Sequence, residues 1–123
     1  MRERHPPFIF VNKPVPLIAN SREVYWVPRE LMDPTDKKPG RPVVVIEEAT
    51  GPAGRLRVVS RTRYLPRGGV VSPPEPDRCP RLEDEGRFTD EYTIDVAQFT
   101  DPPVRYLGLI GWDVFDNVCA EFL

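Results

Sequence analysis

Residues 38–49, KPGRPVVVIEEA, constrain the fold more than any other stretch of the chain. Residues 43–46 within it are three valines and an isoleucine in succession. β-Branched side chains fit a pleated strand, and an apolar run without alternation toward water is typical of a strand covered on both faces. The stretch therefore predicts a central, doubly buried strand of a β-sheet.

Arg41 stands immediately before that strand, between Gly40 and Pro42. Proline restricts the backbone after the arginine, and glycine relaxes the backbone before it. We therefore expect the guanidinium group to project from a fixed point at the edge of a rigid sheet, where it can serve as a binding cation.

The length and the proline content indicate the fold class. The chain has 123 residues, enough for one domain with a single core, and its 16 prolines argue against a mainly helical fold. We predict a mainly β domain over residues 22–123. An extended proline-rich arm is predicted over residues 1–21, in which the only histidine, His5, is expected to be exposed rather than catalytic.

Neither a signal peptide nor a membrane anchor is expected, because no apolar run is long enough for either. Cys79 and Cys119 have no metal-ligand spacing. They are predicted to be free thiols in a reducing cytoplasm.

Local patterns divide the domain into strands, loops and one helix. Alternating or apolar segments predict strands at residues 22–28, 55–63, 70–71 and 87–99. Polar and proline-rich segments predict loops at residues 29–40 and 66–86 and a tight turn at 50–54. Residues 109–123 change to a helical period, which predicts a C-terminal amphipathic helix packed on a β-barrel.

Arginines are concentrated on one face of the predicted strand at residues 55–63. A period of two places two sets on opposite faces: Leu56, Val58, Ser60 and Thr62 on one, and Arg55, Arg57, Val59, Arg61 and Arg63 on the other. The arginine face is either a solvated outer surface or an RNA-phosphate surface that also includes Arg67, Lys37 and Lys38. We favour the phosphate surface because so many arginines share one short face.

Charge is divided unevenly between the two parts of the chain. The net charge is +6 through Arg67 and −8 from Gly68 onward. A basic part suits a polyanion, and the acidic part is expected either to be solvated or to complement another subunit, with solvation preferred.

Arg41 and a hydroxyl group form the candidate catalytic pair. If the strands around residues 50–54 form a hairpin, Ser60 or Thr62 comes close to Arg41. Such a pair abstracts protons poorly at neutral pH, but it can stabilise charge that builds on a phosphate. That chemistry fits RNA cleavage by the substrate's own 2′-hydroxyl. The acidic pairs of the sequence follow no known metal-ligand spacing.

Several segments together resemble the MazF/PemK family of toxin endoribonucleases from bacterial toxin–antitoxin systems. The resemblance spans roughly residues 22–123, and its most specific part is the Gly-Arg-Pro before an apolar strand. The segments are REVYWV, GRPVVVI (40–46), RVVSRT (57–62) and YLGLIGWDVFDNVCAEFL (106–123). The N-terminal arm and the proline-rich segment 72–86 are additions to the family's usual pattern.

The resemblance implies an SH3-like β-barrel with helices that forms a homodimer and cleaves single-stranded RNA without a metal or other cofactor. It implies an antitoxin protein as a partner. Arg41 would stabilise the pentacoordinate phosphate and protonate the leaving oxygen, and Ser60, with Thr62 as second choice, would hold a phosphate oxygen.

Two other functions are consistent with the same residues. The chain could be a catalytically inactive SH3-like module that binds RNA or protein, which has no need to keep Arg41 paired with Ser60. It could also be a domain with a purely structural role. The sequence favours the ribonuclease.

Overall fold

The computed structural model describes residues 18–50 and 53–123. The predicted arm through residue 17, with His5, and residues 51 and 52 of the predicted turn lie outside the described residues. The strands and the α-helix are β1 (Glu23–Pro28), β2 (Gly40–Glu47), β3 (Arg55–Thr62), β4 (Val70–Ser72), β5 (Gly86–Asp95), β6 (Arg105–Leu109) and α1 (Trp112–Phe122).

The six strands of the described residues form one antiparallel sheet in the order β4-β5-β3-β2-β1-β6. The sheet curls into a half-barrel, with α1 at the C-terminal end of the chain. The predicted mainly β fold with a C-terminal helix is confirmed, and the curled sheet is consistent with an SH3-like barrel. Within the described ranges, no helix has the length and apolar content needed to cross a membrane.

β2 is buried on both faces, as its apolar run predicts. Val43 and Val45 pack into one cluster with Tyr25 and Phe99, whereas the intervening Val44 packs into a second cluster on the other face. The second cluster also receives Val114 and Val118 of α1, which confirms the amphipathic pattern of the helix. A strand clamped in this way gives its first residues, including Arg41, a rigid base.

Two predicted boundaries are wrong. β5 ends at Asp95 rather than at residue 99, because a 3₁₀ turn over Val96–Gln98 redirects the chain and buries Phe99 against Tyr25. Residues 105–109 form β6, which pairs with β1, so the helix begins at Trp112 instead of residue 109. The N–H of Leu109 donates a hydrogen bond to the backbone carbonyl of Arg78, in the loop between β4 and β5, so Leu109 lies outside the helix.

The proline-rich loop between β4 and β5 is packed against the body of the domain. Cys79 and Leu82 are fully buried in the second cluster. Glu75 accepts a hydrogen bond from the backbone N–H of Gly111, at 2.6 Å, where α1 begins. These three anchors bring residues 81–84 back to the ends of β2 and β3.

Both cysteines are free thiols in the structure. Burial raises the pKa of the Cys79 thiol to about 12, and its Sγ donates a hydrogen bond to the carbonyl of Leu107 at 3.4 Å. A buried thiol that stays protonated at neutral pH is a packing residue and not a nucleophile.

Candidate functional site

A cavity of about 350 Å³ lies where β2 begins and β3 ends. This volume is within the usual range for sites that bind small molecules. β1, β2, β3, the loop before β2 and the proline-rich loop all contribute to its walls. The lining residues are Trp26, Lys38, Gly40, Arg41, Pro42, Arg61, Thr62, Arg63, Arg81, Glu83, Asp84 and Leu107.

Gly40 is required by the position of the Trp26 indole in the cavity wall. A Cβ atom at Gly40 would lie 2.2 Å from Cζ2 of Trp26 and 2.7 Å from the carbonyl oxygen of Val27. Its backbone is not in the left-handed region. The absent side chain, rather than backbone freedom, is therefore what this glycine supplies, and it fixes an aromatic surface beside Arg41.

The cavity carries an excess of positive charge. Five of its lining residues are cationic and two are acidic, an excess of three positive charges. One carboxylate, Asp84, is paired with Arg63 at 2.9 Å. Such a concave, cationic wall attracts anions and raises their local concentration.

Arg41 is held by Asp36 from the loop before β2. Nε of Arg41 donates to one oxygen of Asp36 at 2.6 Å, and Nη2 donates to the other at 3.0 Å. The hydrogen bonds with Asp36 raise the pKa of Arg41, and the same bonds lower the pKa of Asp36 to about 2. Arg41 is therefore a fixed cation at all physiological pH values, and the loop that precedes it determines its orientation.

Of the two candidate hydroxyls, Thr62 is the one that shares the cavity with Arg41. Ser60 pairs with Val43 in the β2–β3 ladder and is 2% exposed. Continued by two residues beyond Ser60, the same antiparallel register places Thr62 opposite Arg41, and both residues line the cavity. The Oγ1 atom of Thr62 accepts a hydrogen bond from the N–H of Tyr64 at 3.1 Å, which leaves its proton available to a ligand.

Only some of the cations predicted to bind RNA line the cavity in the structure. Lys38, Arg61 and Arg63 line the cavity, whereas Lys37 is exposed on the loop and is not among the lining residues. The other three arginines form ion pairs elsewhere: Arg55 with Asp95, Arg57 with Glu47 and Glu91, and Arg67 with Asp90. The basic face is therefore largely neutralised outside the cavity.

Arg61 differs from its neighbours on β3 because it is buried. It lies on the same side of the sheet as Val59 and is 4% exposed. Its Nε donates to Oγ of Ser72 at 2.7 Å, and its Nη2 donates to the carbonyl oxygens of Ser72 and Asp84. Burial lowers the pKa of this guanidinium.

Sequence reasoning missed five residues of the site. Asp36 had no signal beyond its place in a charged loop. Trp26 lies in the strand predicted at residues 22–28, with no sign of a role in the site, and residues 81–84 lie in a loop whose prolines indicate restricted backbone but not the direction of the chain. The missed residues are Trp26, Asp36, Arg81, Glu83 and Asp84.

In residues 18–50 and 53–123, no three His, Cys, Asp or Glu side chains gather in a group that could hold a metal ion. No family model matches the chain. Searches of curated proteins and of solved structures found no match either. The cavity and its residues therefore carry the functional argument.

Proposed function

We propose that this protein is a metal-independent endoribonuclease toxin that cleaves single-stranded RNA in the cavity between β2 and β3. The observation that carries the proposal is that Arg41 and Thr62 line one cationic cavity beside an indole ring. The resemblance to the MazF/PemK family supplies the rest of the proposal: a cytoplasmic homodimer and a cognate antitoxin protein as partner.

RNA binding in this cavity would use two kinds of contact. The excess positive charge attracts backbone phosphates, and binding releases their counterions. The Trp26 ring offers a surface on which an unpaired base can stack, a contact that single-stranded nucleic acids commonly make with proteins. The stacking contact favours unpaired RNA over a duplex, in which the bases are already stacked on one another.

The proposed reaction is attack by a 2′-oxygen on the adjacent phosphorus. A P–O2′ bond forms and the P–O5′ bond breaks, giving a 2′,3′-cyclic phosphate and a 5′-hydroxyl end. Arg41 stabilises the negative charge of the pentacoordinate phosphate, and Thr62 donates its hydroxyl proton to a phosphate oxygen.

In the proposed reaction, Arg41 neither donates a proton to the leaving oxygen nor accepts one from the 2′-hydroxyl. Its raised pKa makes Arg41 a poor proton donor, so the leaving 5′-oxygen takes its proton from water. Glu83 lines the cavity and forms no ion pair with any of the described residues. Its carboxylate is the candidate acceptor of the 2′-hydroxyl proton.

Cleavage of an end-labelled single-stranded RNA by purified protein in the presence of a metal chelator tests the reaction. Arg41→Ala is expected to lower the cleavage rate by about a hundredfold or more, the usual loss when a charge-stabilising donor is removed. Arg55→Ala is the matched control, because this arginine lies at the far end of β3 and outside the cavity. Equal rates for wild type and Arg41→Ala would overturn the assignment.

The two hydroxyls can be separated by a second pair of variants. Thr62→Val keeps the shape of the side chain and removes its donor, and a loss of roughly tenfold or more in rate is expected. Ser60→Ala is expected to cleave at nearly the wild-type rate, because Ser60 is not among the residues that line the cavity. The reverse order would restore Ser60 as the catalytic hydroxyl.

An RNA-binding module without catalysis is the second candidate, and the Arg41–Asp36 pair favours it. A bidentate carboxylate already compensates the charge that catalysis would use. Induction of the protein in a bacterial host beside Arg41→Ala distinguishes the two functions. The toxin arrests growth and produces new 5′-hydroxyl RNA ends only with Arg41 present, whereas the binding module gives equal growth and no new ends.

A further inference from the structure

Arg61 is a buried cation without a carboxylate partner. Its side chain is almost entirely removed from solvent, and no carboxylate in the described part of the chain lies within ion-pairing distance of it. Its acceptors are one hydroxyl and two backbone carbonyls. Asp84 supplies one of those carbonyls from its own backbone, but its side chain pairs with Arg63 instead.

A lone buried charge is costly, so natural proteins usually pair it. Here the hydroxyl and carbonyl acceptors orient the guanidinium through Nε and Nη2. The remaining nitrogen, Nη1, donates to no acceptor in residues 18–50 and 53–123. Because Arg61 lines the cavity, this nitrogen is the donor left for an anion in it.

Two further arginines surround the same part of the cavity. Arg63 follows directly after β3, and Arg81 comes from the proline-rich loop; both line the cavity and are exposed. Arg81 forms no ion pair with any described residue. One buried and two exposed guanidinium groups match a phosphate group, whose several oxygens accept from more than one arginine.

We propose that Arg61 anchors a phosphate-binding subsite, closed at the cavity mouth by Arg63 and Arg81, that holds a phosphate next to the one at Arg41. Its identification as an RNA phosphate rests on the proposed function. The anion subsite itself follows from the buried charge and the cavity, and is tested without RNA.

Titration of the full chain with inorganic phosphate, followed by NMR, tests this subsite. Chloride at matched ionic strength is the reference. The Nε–H signal of Arg61, identified by its loss in Arg61→Lys, and the indole N–H of Trp26 are expected to shift and saturate. The Nε–H of Arg55 and the indole N–H of Trp112, which is exposed and outside the cavity, are internal controls and are expected not to move.

Arg81→Ala provides a variant that does not endanger folding, because this side chain is exposed. It is expected to weaken phosphate binding by about tenfold, and Arg55→Ala to leave it unchanged. Unmoved Arg61 and Trp26 signals, or equal losses in the two variants, would overturn the subsite. Phosphate binding in a protein that does not cleave RNA would retain the subsite and refute only the ribonuclease.

Discussion

The Asp36→Asn substitution separates two consequences of the Arg41–Asp36 pair. The pair stabilises the loop before β2, and it also occupies the cation that is proposed to hold the scissile phosphate. Both hydrogen bonds of the pair are short, at 2.6 and 3.0 Å, and the side chains are 21% and 14% exposed. Asparagine keeps the shape of Asp36 and removes its charge.

The size of the stabilising effect follows from the pKa of Asp36. This pKa falls from 3.8 to about 2 in the folded protein, mainly through the hydrogen bond with Arg41. Each pKa unit corresponds to about 1.4 kcal/mol, so the pair contributes at most roughly 2.5 kcal/mol to the free energy of unfolding. Partial exposure and the hydrogen bond that asparagine can still accept reduce the expected loss to about 1–2 kcal/mol.

The dependence on pH gives this prediction a defined sign. The pKa of Asp36 in the folded protein lies below its ordinary value. The stabilisation by the Arg41–Asp36 pair is therefore fully present above about pH 4 and is lost as the pH falls through about 2. Urea denaturation of wild type and Asp36→Asn is therefore expected to show a difference at pH 7 that shrinks between pH 4 and 2. A difference that is constant with pH, or absent at pH 7, would refute the reasoning.

Asp95→Asn is the matched control for this experiment. Asp95 also pairs with an arginine, Arg55, but that pair is 71% and 56% exposed. For Asp95→Asn, a loss of unfolding free energy below about 0.5 kcal/mol is expected.

Asp36→Asn is further expected to bind a short RNA about tenfold more tightly, because phosphate no longer competes with a carboxylate for Arg41. Weaker binding would show that Asp36 only positions the arginine.

The packing of the central strand and of its flanks supports three further predictions, each measured by urea denaturation. Gly40→Ala is expected to cost more than about 2 kcal/mol and to weaken RNA binding, because its Cβ would overlap the Trp26 ring. Val44→Ala and Val45→Ala are each expected to cost about 2–3 kcal/mol, since opposite faces of β2 are both buried; a silent variant would contradict this. Glu75→Gln is expected to cost about 1 kcal/mol by weakening the charged acceptor at the start of α1.

The parts of the fold that were predictable are those set by local pattern. Four consecutive β-branched residues predict β2, and apolar residues at helical spacing predict α1. β6 was missed because it is short, contains Gly108 with a positive φ, and pairs with β1, which lies some eighty residues earlier in the chain. Such a strand is defined by its partner rather than by its own sequence.

The site was predictable in Arg41 and in some of its other residues, Lys38, Arg61, Thr62 and Arg63. Arg41 stands beside the run that defines β2, so its location follows from that strand. The choice between Ser60 and Thr62 depends on the register of β2 with β3, which shifts at an irregularity between Val45 and Glu47. A bulge of this kind is decided by packing and not by a sequence motif, and it changes which residues lie opposite one another.

The central claim is that the cavity, and not the rest of the basic face, binds RNA. The most direct test measures the affinity for a short 2′-O-methyl oligoribonucleotide, which cannot be cleaved, over a range of salt concentrations. The affinity of the wild type is expected to fall steeply with salt, and Arg81→Ala to reduce the logarithmic slope by about 0.7, the value for one phosphate contact with a single strand. Arg55→Ala is expected to keep the wild-type slope. Affinity that is independent of salt, or equal slope changes in the two variants, would contradict the account.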